Sequence, residues 1–438
     1  MDRRVFLALA ASSVAAAATA QTISPTTSQT GAPTATGASS PGPTPADLLG
    51  VTGDGYFIDW LNGFYAQALA VGIDRSVLDT ALSGLSPDPR VLALDTRQPE
   101  FARPVSDYVR GAMDPERIAT GRQQMQAIPQ LQTIEAVWGV PREILIAIWA
   151  MESRFGAHTG GMDVIRSLAS LAALGRRRPW AEGELMACLK IIATGDAPRE
   201  RLRGSWAGAM GQTQMLPSTY LAFAADGDGD GRRDIWNSAP DALASAANLL
   251  SHDGWRRDEG WAREVILPPG FDYGLAEGSP DVPYCWAGRG AIRADGLPWS
   301  ATEAAAPCIL LLPSGAQGPA FLALPNHFVI RKYNNSLAYA LSVGLLADAF
   351  AGGAPLRTPW PPETTLSLND RLAAQSALAS LGYNPGNADG VIGVSTRQAL
   401  RAWQIAHHLP ADGYLSADMV LRLKAAAAAP APQTLTPS

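Results

Sequence analysis

The stretch Pro141-Arg142-Glu143-Ile144-Leu145-Ile146-Ala147-Ile148-Trp149-Ala150-Met151-Glu152-Ser153-Arg154-Phe155-Gly156 decides the fold. Eight consecutive apolar residues, Ile144 to Met151, follow a proline suited to the first position of a helix. A helix apolar on every face is a buried one. Glu152 falls in its last turn, and Gly156 is placed to close the C-terminus. Apolar surroundings disfavour the ionised carboxyl, and so does the negative end of the helix dipole. Both effects raise its pKa, as a general acid working near neutral pH requires. The competing readings are a surface glutamate and a structural pair with Arg154.

Helical periodicity recurs on both sides of this segment, at Tyr56–Leu69, Ile128–Gly139, Gly183–Thr194, Pro240–Ser251 and Ser336–Phe350. Between Gly270 and Ile330 it breaks into short apolar pieces separated by Pro and Gly, which predicts a small insertion of strands and loops. The chain has 438 residues, enough for two or three domains, and is 47% hydrophobic, enough for a sizeable core. The fold class expected is mainly α, in six segments: an export signal at 1–20, a disordered Thr/Ser/Pro linker at 21–45, a catalytic domain at 46–350, a Pro/Gly linker at 351–364, a small three-helix domain at 365–426 and a disordered tail at 427–438. In the three-helix unit, Leu368, Leu372, Leu378 and Leu381 form one apolar stripe, while Ser395 and Ser416 are candidate caps of the second and third helices. Ala388-Asp389-Gly390 recurs 23 residues later as Ala411-Asp412-Gly413, a weak repeat that turn chemistry alone explains.

Several function classes drop out. A net charge of −6 argues against nucleic-acid binding. The one long apolar run, at the N-terminus, is too short and wrongly flanked to span a membrane. It reads instead as an export signal cleaved before Gln21; Arg3-Arg4 with Val5-Phe6-Leu7 resembles the twin-arginine type, and an ordinary secretory signal is the alternative. Export predicts a periplasmic protein with its cysteines in an oxidising compartment, so Cys285 and Cys308 are expected to pair and Cys188 to be a buried helix thiol. The five histidines make no zinc array, and there is no G-x-S-x-G elbow, P-loop or dinucleotide fingerprint. Catalysis should rest on carboxylates and neutral polar groups. Gly204–Ser218 supplies the latter: small residues that let a ligand approach the backbone, with Ser205, Gln212, Thr213 and Gln214 suited to sugar hydroxyl and acetamido groups.

Glu152-Ser153-Arg154-Phe155-Gly156 together with Gly204–Ser218 resembles the lytic murein transglycosylase B family (glycoside hydrolase family 103). Further matches are Tyr108 seven residues before Pro115, Trp236, Asp241-Ala242, Ala247-Asn248, Gly254-Trp255, and Asn326 to Ser336 with Tyr339. The resemblance implies a lysozyme-like helical domain that cleaves the β-1,4 bond between N-acetylmuramic acid and N-acetylglucosamine and leaves a 1,6-anhydro ring. It implies Glu152 as acid and base in turn, the substrate acetamido group assisting at C1, an exception to the two-carboxylate rule. Tyr108, Ser205, Gln214, Tyr333, Asn334 and Tyr339 match positions that line the family's saccharide cleft. Hydrolysis by water at the same bond and a non-catalytic wall-binding role are the alternatives.

Asp226-Gly227-Asp228-Gly229-Asp230-Gly231 opens like an EF-hand loop, but position twelve is Asn237. The family's longer variant closes with the acid matching Asp241, which implies a structural calcium on Asp226, Asp228, Asp230, the Arg232 carbonyl and Asp241; an acidic turn that binds nothing is the alternative. No cofactor is required by this chemistry. The C-terminal unit resembles peptidoglycan-binding domain 1 through Leu381-Gly382-Tyr383, Asp389 to Gly393, Thr396, Ala399-Leu400 and Trp403-Gln404. The partners implied are peptidoglycan glycan strands, with cell-wall synthesis or division proteins as further candidates, for a monomer without a membrane span.

Overall fold

The computed structural model describes residues 44–96 and 103–429. The export signal, nearly all of the first linker and the end of the tail lie outside the described residues. Among those described, nineteen α-helices and six short strands pack around four apolar cores. Most predicted helices appear within two residues of their expected bounds, as Gly55–Ala70, Gln130–Trp138, Arg142–Ser153, Ala239–His252 and Leu337–Phe350. Helix Arg178–Ala193 starts five residues before the expected Gly183, because Pro179 sits in its first turn, where its missing N–H costs nothing. A further helix, Pro45–Leu48, falls at the edge of the predicted linker, closed by a Thr44/Asp47 capping box.

Two of the cores form the lobes of the large unit. One is built on helix Arg142–Ser153, whose Leu145, Ile146 and Ile148 are fully buried, with helices Val105–Ala112, Pro325–Tyr333 and Leu337–Phe350 around it. The other gathers helices Gly55–Ala70, Val164–Leu174 and Arg178–Ala193 under Met210 and Met215. Strands β1 (Met162–Asp163) and β2 (Arg203–Gly204) pair antiparallel in the second lobe. Strands β3 (Ala262–Ile266), β4 (Ile292–Arg293), β5 (Ile309–Leu311) and β6 (Ala320–Ala323) make an antiparallel sheet in the order β4-β3-β6-β5. The predicted insertion is therefore present but begins earlier: β3 lies before Gly270 and is an inner strand.

The third core, under this sheet, contains Trp286 and Cys308. The expected Cys285–Cys308 pair is not formed, and all three cysteines are free. Backbone bridging of Asp281 to Cys308 aims the Cys308 thiol at the Asp281 carbonyl, 3.1 Å away, inside the core. Cys285 lies half-buried on helix Pro283–Gly288, hydrogen-bonded to the Asp281 carboxylate instead. Cys188 is a fully buried helix thiol, as expected.

The C-terminal unit is three helices, Leu368–Ser380, Val394–Ala406 and Ala417–Ala428, around Leu378, Leu400, Trp403 and Leu423. Ser416 caps the third helix, but the second is capped at Gly393, so Ser395 sits inside its first turn. Leu368 is exposed and leaves the predicted stripe. Each Asp-Gly turn is clamped by a glutamine: Gln375 Oε1 accepts from Gly390 N and Gln404 Oε1 from Gly413 N, both at 2.8 Å. This unit docks on the sheet insertion. Arg397 and Arg401 both donate to the Glu277 carboxylate, and they hold its pKa below the ordinary value even though burial pushes it upward. Asp412 accepts from Ala316 N at 2.9 Å. The second linker is a strap, with the Arg357 and Thr358 N–H groups donating to the Glu264 carboxylate.

Candidate active site

Helix Arg142–Ser153 is preceded by Pro141 as N-cap, one position outside its expected place at the first helical residue. Its apolar run is buried from Ile144 to Ala150, and Glu152 at its end is 4% exposed. Arg154, by contrast, is exposed. The backbone turns left-handed at Arg154 (φ 51°), Phe155 (φ 59°) and Gly156 (φ 83°). The helix is thus closed at Arg154, two residues earlier than expected. Two consecutive non-glycine residues at positive φ cost energy, and such strain collects where a site must hold an awkward geometry. Here it brings Ser153 onto the polar block. Ser153 Oγ donates to the Gln212 carbonyl at 2.6 Å and accepts from Gly156 N at 2.8 Å. Glycine is needed at 156, since a Cβ would lie 2.6 Å from Gln212 Oε1.

Gly204–Ser218 is a chain of turns, not a helix. Ser205 N donates to the Ala209 carbonyl and Ser205 Oγ accepts from Ala209 N, closing one loop. Met210 and Met215 exchange backbone hydrogen bonds, closing the next and burying both side chains in the second lobe. Gly204 permits the close approach: a Cβ there would sit 1.9 Å from the Ala209 carbonyl oxygen. Gln214 has φ 52° and is buried. Its Nε2 donates to the Thr159 and Gly211 carbonyls, while its Oε1 is buried with no hydrogen-bond partner.

Two tyrosines complete the seam between the lobes. Tyr339, in the first turn of helix Leu337–Phe350, donates its hydroxyl to Glu152 Oε1 at 2.6 Å. Tyr333, ending helix Pro325–Tyr333, donates to the Thr213 carbonyl at 2.5 Å. Burial first, and then the Glu152 charge, push both phenols well above the ordinary tyrosine value, so both remain donors. Tyr108, half-buried on helix Val105–Ala112, is near enough to act electrostatically on Tyr339. Asn334 follows Tyr333 as the half-buried C-cap.

By sequence alone Gln212 is one more polar group of the block. It is the tie between the lobes: Oε1 accepts from Trp149 Nε1 at 3.0 Å, Nε2 donates to the Trp236 carbonyl, and its own carbonyl receives Ser153. No local signal in the sequence marks this role, which depends on partners in other elements.

The acidic loop lies beside the block. Carboxylate oxygens of Asp226, Asp228, Asp230 and Asp241 come within 4.8 Å of one another, three from exposed residues and Asp241 from a buried one. Asp241, in the first turn of helix Ala239–His252, accepts from Gly227 N and Asp234 N, and burial raises its pKa. The Arg232 N–H donates to Asp230, and Asn237 turns away to Asp234. Four converging carboxylates repel unless a cation sits among them, and all-oxygen donors suit a hard divalent ion.

Residues 56–348 match the family model described as a transglycosylase SLT domain. Residues 367–423 match the one described as a peptidoglycan binding domain. A curated relative, membrane-bound lytic murein transglycosylase B of Escherichia coli (strain K12), is 32% identical over 220 residues, which cover 49% of this chain and 58% of that protein. The aligned region thus spans little more than half of the relative's length. The crystal structure of SltB3 from Pseudomonas aeruginosa in complex with NAG-anhNAM-pentapeptide is similar, with TM-score 0.81 and 47% identity, covering 85% of this chain and 100% of that one. The Escherichia coli lytic transglycosylase Slt35 in complex with calcium is similar with TM-score 0.56 and 29% identity, covering 66% of this chain and 92% of that one.

Proposed function

Because the chain belongs to the transglycosylase SLT domain family, we propose that it is a lytic transglycosylase, cleaving the β-1,4 bond between N-acetylmuramic acid and N-acetylglucosamine in peptidoglycan and leaving 1,6-anhydromuramoyl ends. The observation that carries this reading is the buried Glu152 carboxyl, held by the Tyr339 hydroxyl at the seam with an amide-rich block. Glu152 first donates its proton to the glycosidic oxygen as the bond breaks. As carboxylate it then takes the proton of the muramoyl C6 hydroxyl, whose oxygen closes on C1. No water is consumed, and the substrate acetamido group supports C1 between the two steps. The Gly204–Ser218 block contains no acid, in keeping with that division of labour.

Tyr339 orients the acid. Gln214 Oε1, an acceptor buried without a protein partner, is suited to receive a sugar hydroxyl or amide N–H. Ser205, Tyr108, Tyr333 and Asn334 would line the rest of the saccharide cleft. Asp226, Asp228, Asp230 and Asp241, with the Arg232 carbonyl, are the residues that would hold calcium, which would supply a charge-neutralising brace between the loop and helix Ala239–His252. The N-terminal signal would take the protein to the periplasm, and the three-helix unit would add affinity for the wall by tethering. No helix among the described residues is long and apolar enough to cross a membrane.

Mass spectrometry of digested sacculi tests the proposal. Products lighter by one water than muramidase fragments are expected; reducing ends would mean hydrolysis, and sacculus binding without loss of turbidity would mean a wall-binding protein.

A further inference from the structure

The Asp-Gly turn that the C-terminal unit carries twice is used differently in its two copies. In the first, Asp389 accepts from Gln375 Nε2 at 3.3 Å and from Val391 N at 2.8 Å, both inside the unit. In the second, Asp412 Oδ1 makes the matching bonds to Gln404 Nε2 and Tyr414 N, at 2.9 and 3.0 Å. Its other oxygen, Oδ2, accepts from Ala316 N of the sheet insertion. The approach is close: a Cβ on Gly315 would lie 2.6 Å from Asp412 Oδ2 and 2.7 Å from Tyr414 Cβ. Two positions after the aspartate stands Val391 in one copy and Tyr414 in the other.

Tyr414 reaches the second linker, donating its hydroxyl to Glu363 Oε1 at 2.5 Å. Burial first, and then this hydrogen bond, push the phenol well above the ordinary tyrosine value, so it stays a donor. The second oxygen of the same carboxylate, Oε2, accepts from Ser106 N at 3.2 Å. Ser106 is fully buried in the first turn of helix Val105–Ala112. That helix starts after Pro104, which offers no side-chain acceptor, so its first N–H groups have no cap of their own. Glu363, 257 residues away, supplies one, and its negative charge suits the positive end of the helix. The charge of Asp107, in the same turn, also acts on Tyr414.

Tyr108 lies two residues beyond Ser106, in the turn that this carboxylate closes. Tyr108 acts electrostatically on Tyr339, and its helix packs on helix Leu337–Phe350, which carries Tyr339. Val109 and Ala112 anchor the end of this eight-residue helix in the acid's core. A helix so short is marginal by itself, and the cap therefore bears directly on its first turn. We propose that the C-terminal unit does more than tether the enzyme: through Tyr414 and Glu363 it caps the helix bearing Tyr108. Glu363 and Tyr414 are then positioning residues for the glycan, acting through Tyr108. The proposal rests on the glycan-cleaving function inferred above. Such coupling is reciprocal, so a glycan held by Tyr108 favours the docked C-terminal unit as much as docking favours the glycan.

The test uses full-length protein and a soluble tetrasaccharide of alternating N-acetylglucosamine and N-acetylmuramic acid, for which tethering to an insoluble wall plays no part. Glu363→Ala and Tyr414→Phe should each raise its KM by about threefold or more, with kcat within about twofold of wild type. Both should quicken amide hydrogen exchange in helix Val105–Ala112 but not in helix Arg142–Ser153. In a Tyr108→Ala background the same substitutions should change KM by less than about twofold, because residues that act together are not additive. An unchanged KM in Tyr414→Phe, which removes only a hydroxyl, would overturn the proposal. So would unaltered exchange in helix Val105–Ala112, or equal fold-changes with and without Tyr108. Failure of the catalytic reading is seen separately, as the absence of anhydro products from the wild type.

Discussion

The two segments that meet near Glu152, the acid's helix and the amide block, are made by different means. The acid's segment is helix packed on helix: Glu152 is placed by a buried apolar run and hydrogen-bonded to the Tyr339 hydroxyl of another helix. The amide block, carried by a second lobe that is itself helical, is turn upon turn, with glycines at contacts no Cβ could enter and Gln214 held left-handed. In the first, position follows from periodicity and burial. In the second it follows from backbone geometry that only certain residues tolerate. Under the proposed function, proton chemistry would fall to the segment placed by packing, and recognition to the segment placed by backbone turns.

The sharpest break in this comparison is Glu152→Gln. It removes the proton while keeping the size of the side chain, so anhydro product release should fall by about 10²- to 10⁴-fold or more with the melting temperature little changed. Full activity would remove the acid lobe's special status. Tyr339→Phe should be next, with turnover of sacculi falling about tenfold or more, since a hydrogen bond to a charged group is worth about 1.5–3 kcal/mol. Equal loss from Tyr333→Phe, whose partner is the Thr213 carbonyl instead, would mean that the two tyrosines merely staple the lobes together.

Gln212→Ala cuts the tie itself. It strands the buried Trp149 N–H, and chemical denaturation should show a loss of about 1–3 kcal/mol along with reduced activity. His327, in the acid's lobe, makes stability depend on pH. Burial, with a further contribution from Arg331, lowers its pKa to about 3, so the unfolded chain binds the proton first and stability falls as pH drops below about 6.5. Replacing it by leucine should recover about 2 kcal/mol at pH 5 relative to pH 7.5, read from melts of both proteins at each pH. Asp348, which burial raises to about 6, works with the opposite sign between about pH 4 and 6, so the variant must be compared with wild type at each pH. The smallest effect belongs to the block lobe. Calcium at ten times its dissociation constant should stabilise chelated protein by about 1.4 kcal/mol, and Asp241→Asn should abolish the response. An unchanged melt on adding calcium would leave the acidic loop as a turn.

What could be read in the sequence divides along the same line. The helix ending at Glu152 was legible because eight apolar residues leave no other solution. The tyrosines and glutamines of the cleft came through family motifs, not through spacing, because nothing local announces that Tyr339 reaches a residue 187 positions earlier. Several of the differences are of backbone detail. The position of the left-handed turn at Arg154, the cap at Gly393 and the start of the sheet at β3 each depend on a tertiary partner that propensity does not see. The disulfide expectation failed for a related reason: compartment and count do not say where a thiol points, and Cys308 points at the Asp281 carbonyl.

The link between Tyr339 and Glu152 also bears on the order in which the chain is made. A ribosome delivers the glutamate long before the phenol that it meets, and a nascent polypeptide interrupted before Leu337 lacks that hydrogen bond. This contact of the proposed acid therefore forms only once almost the whole of the large unit has been synthesised.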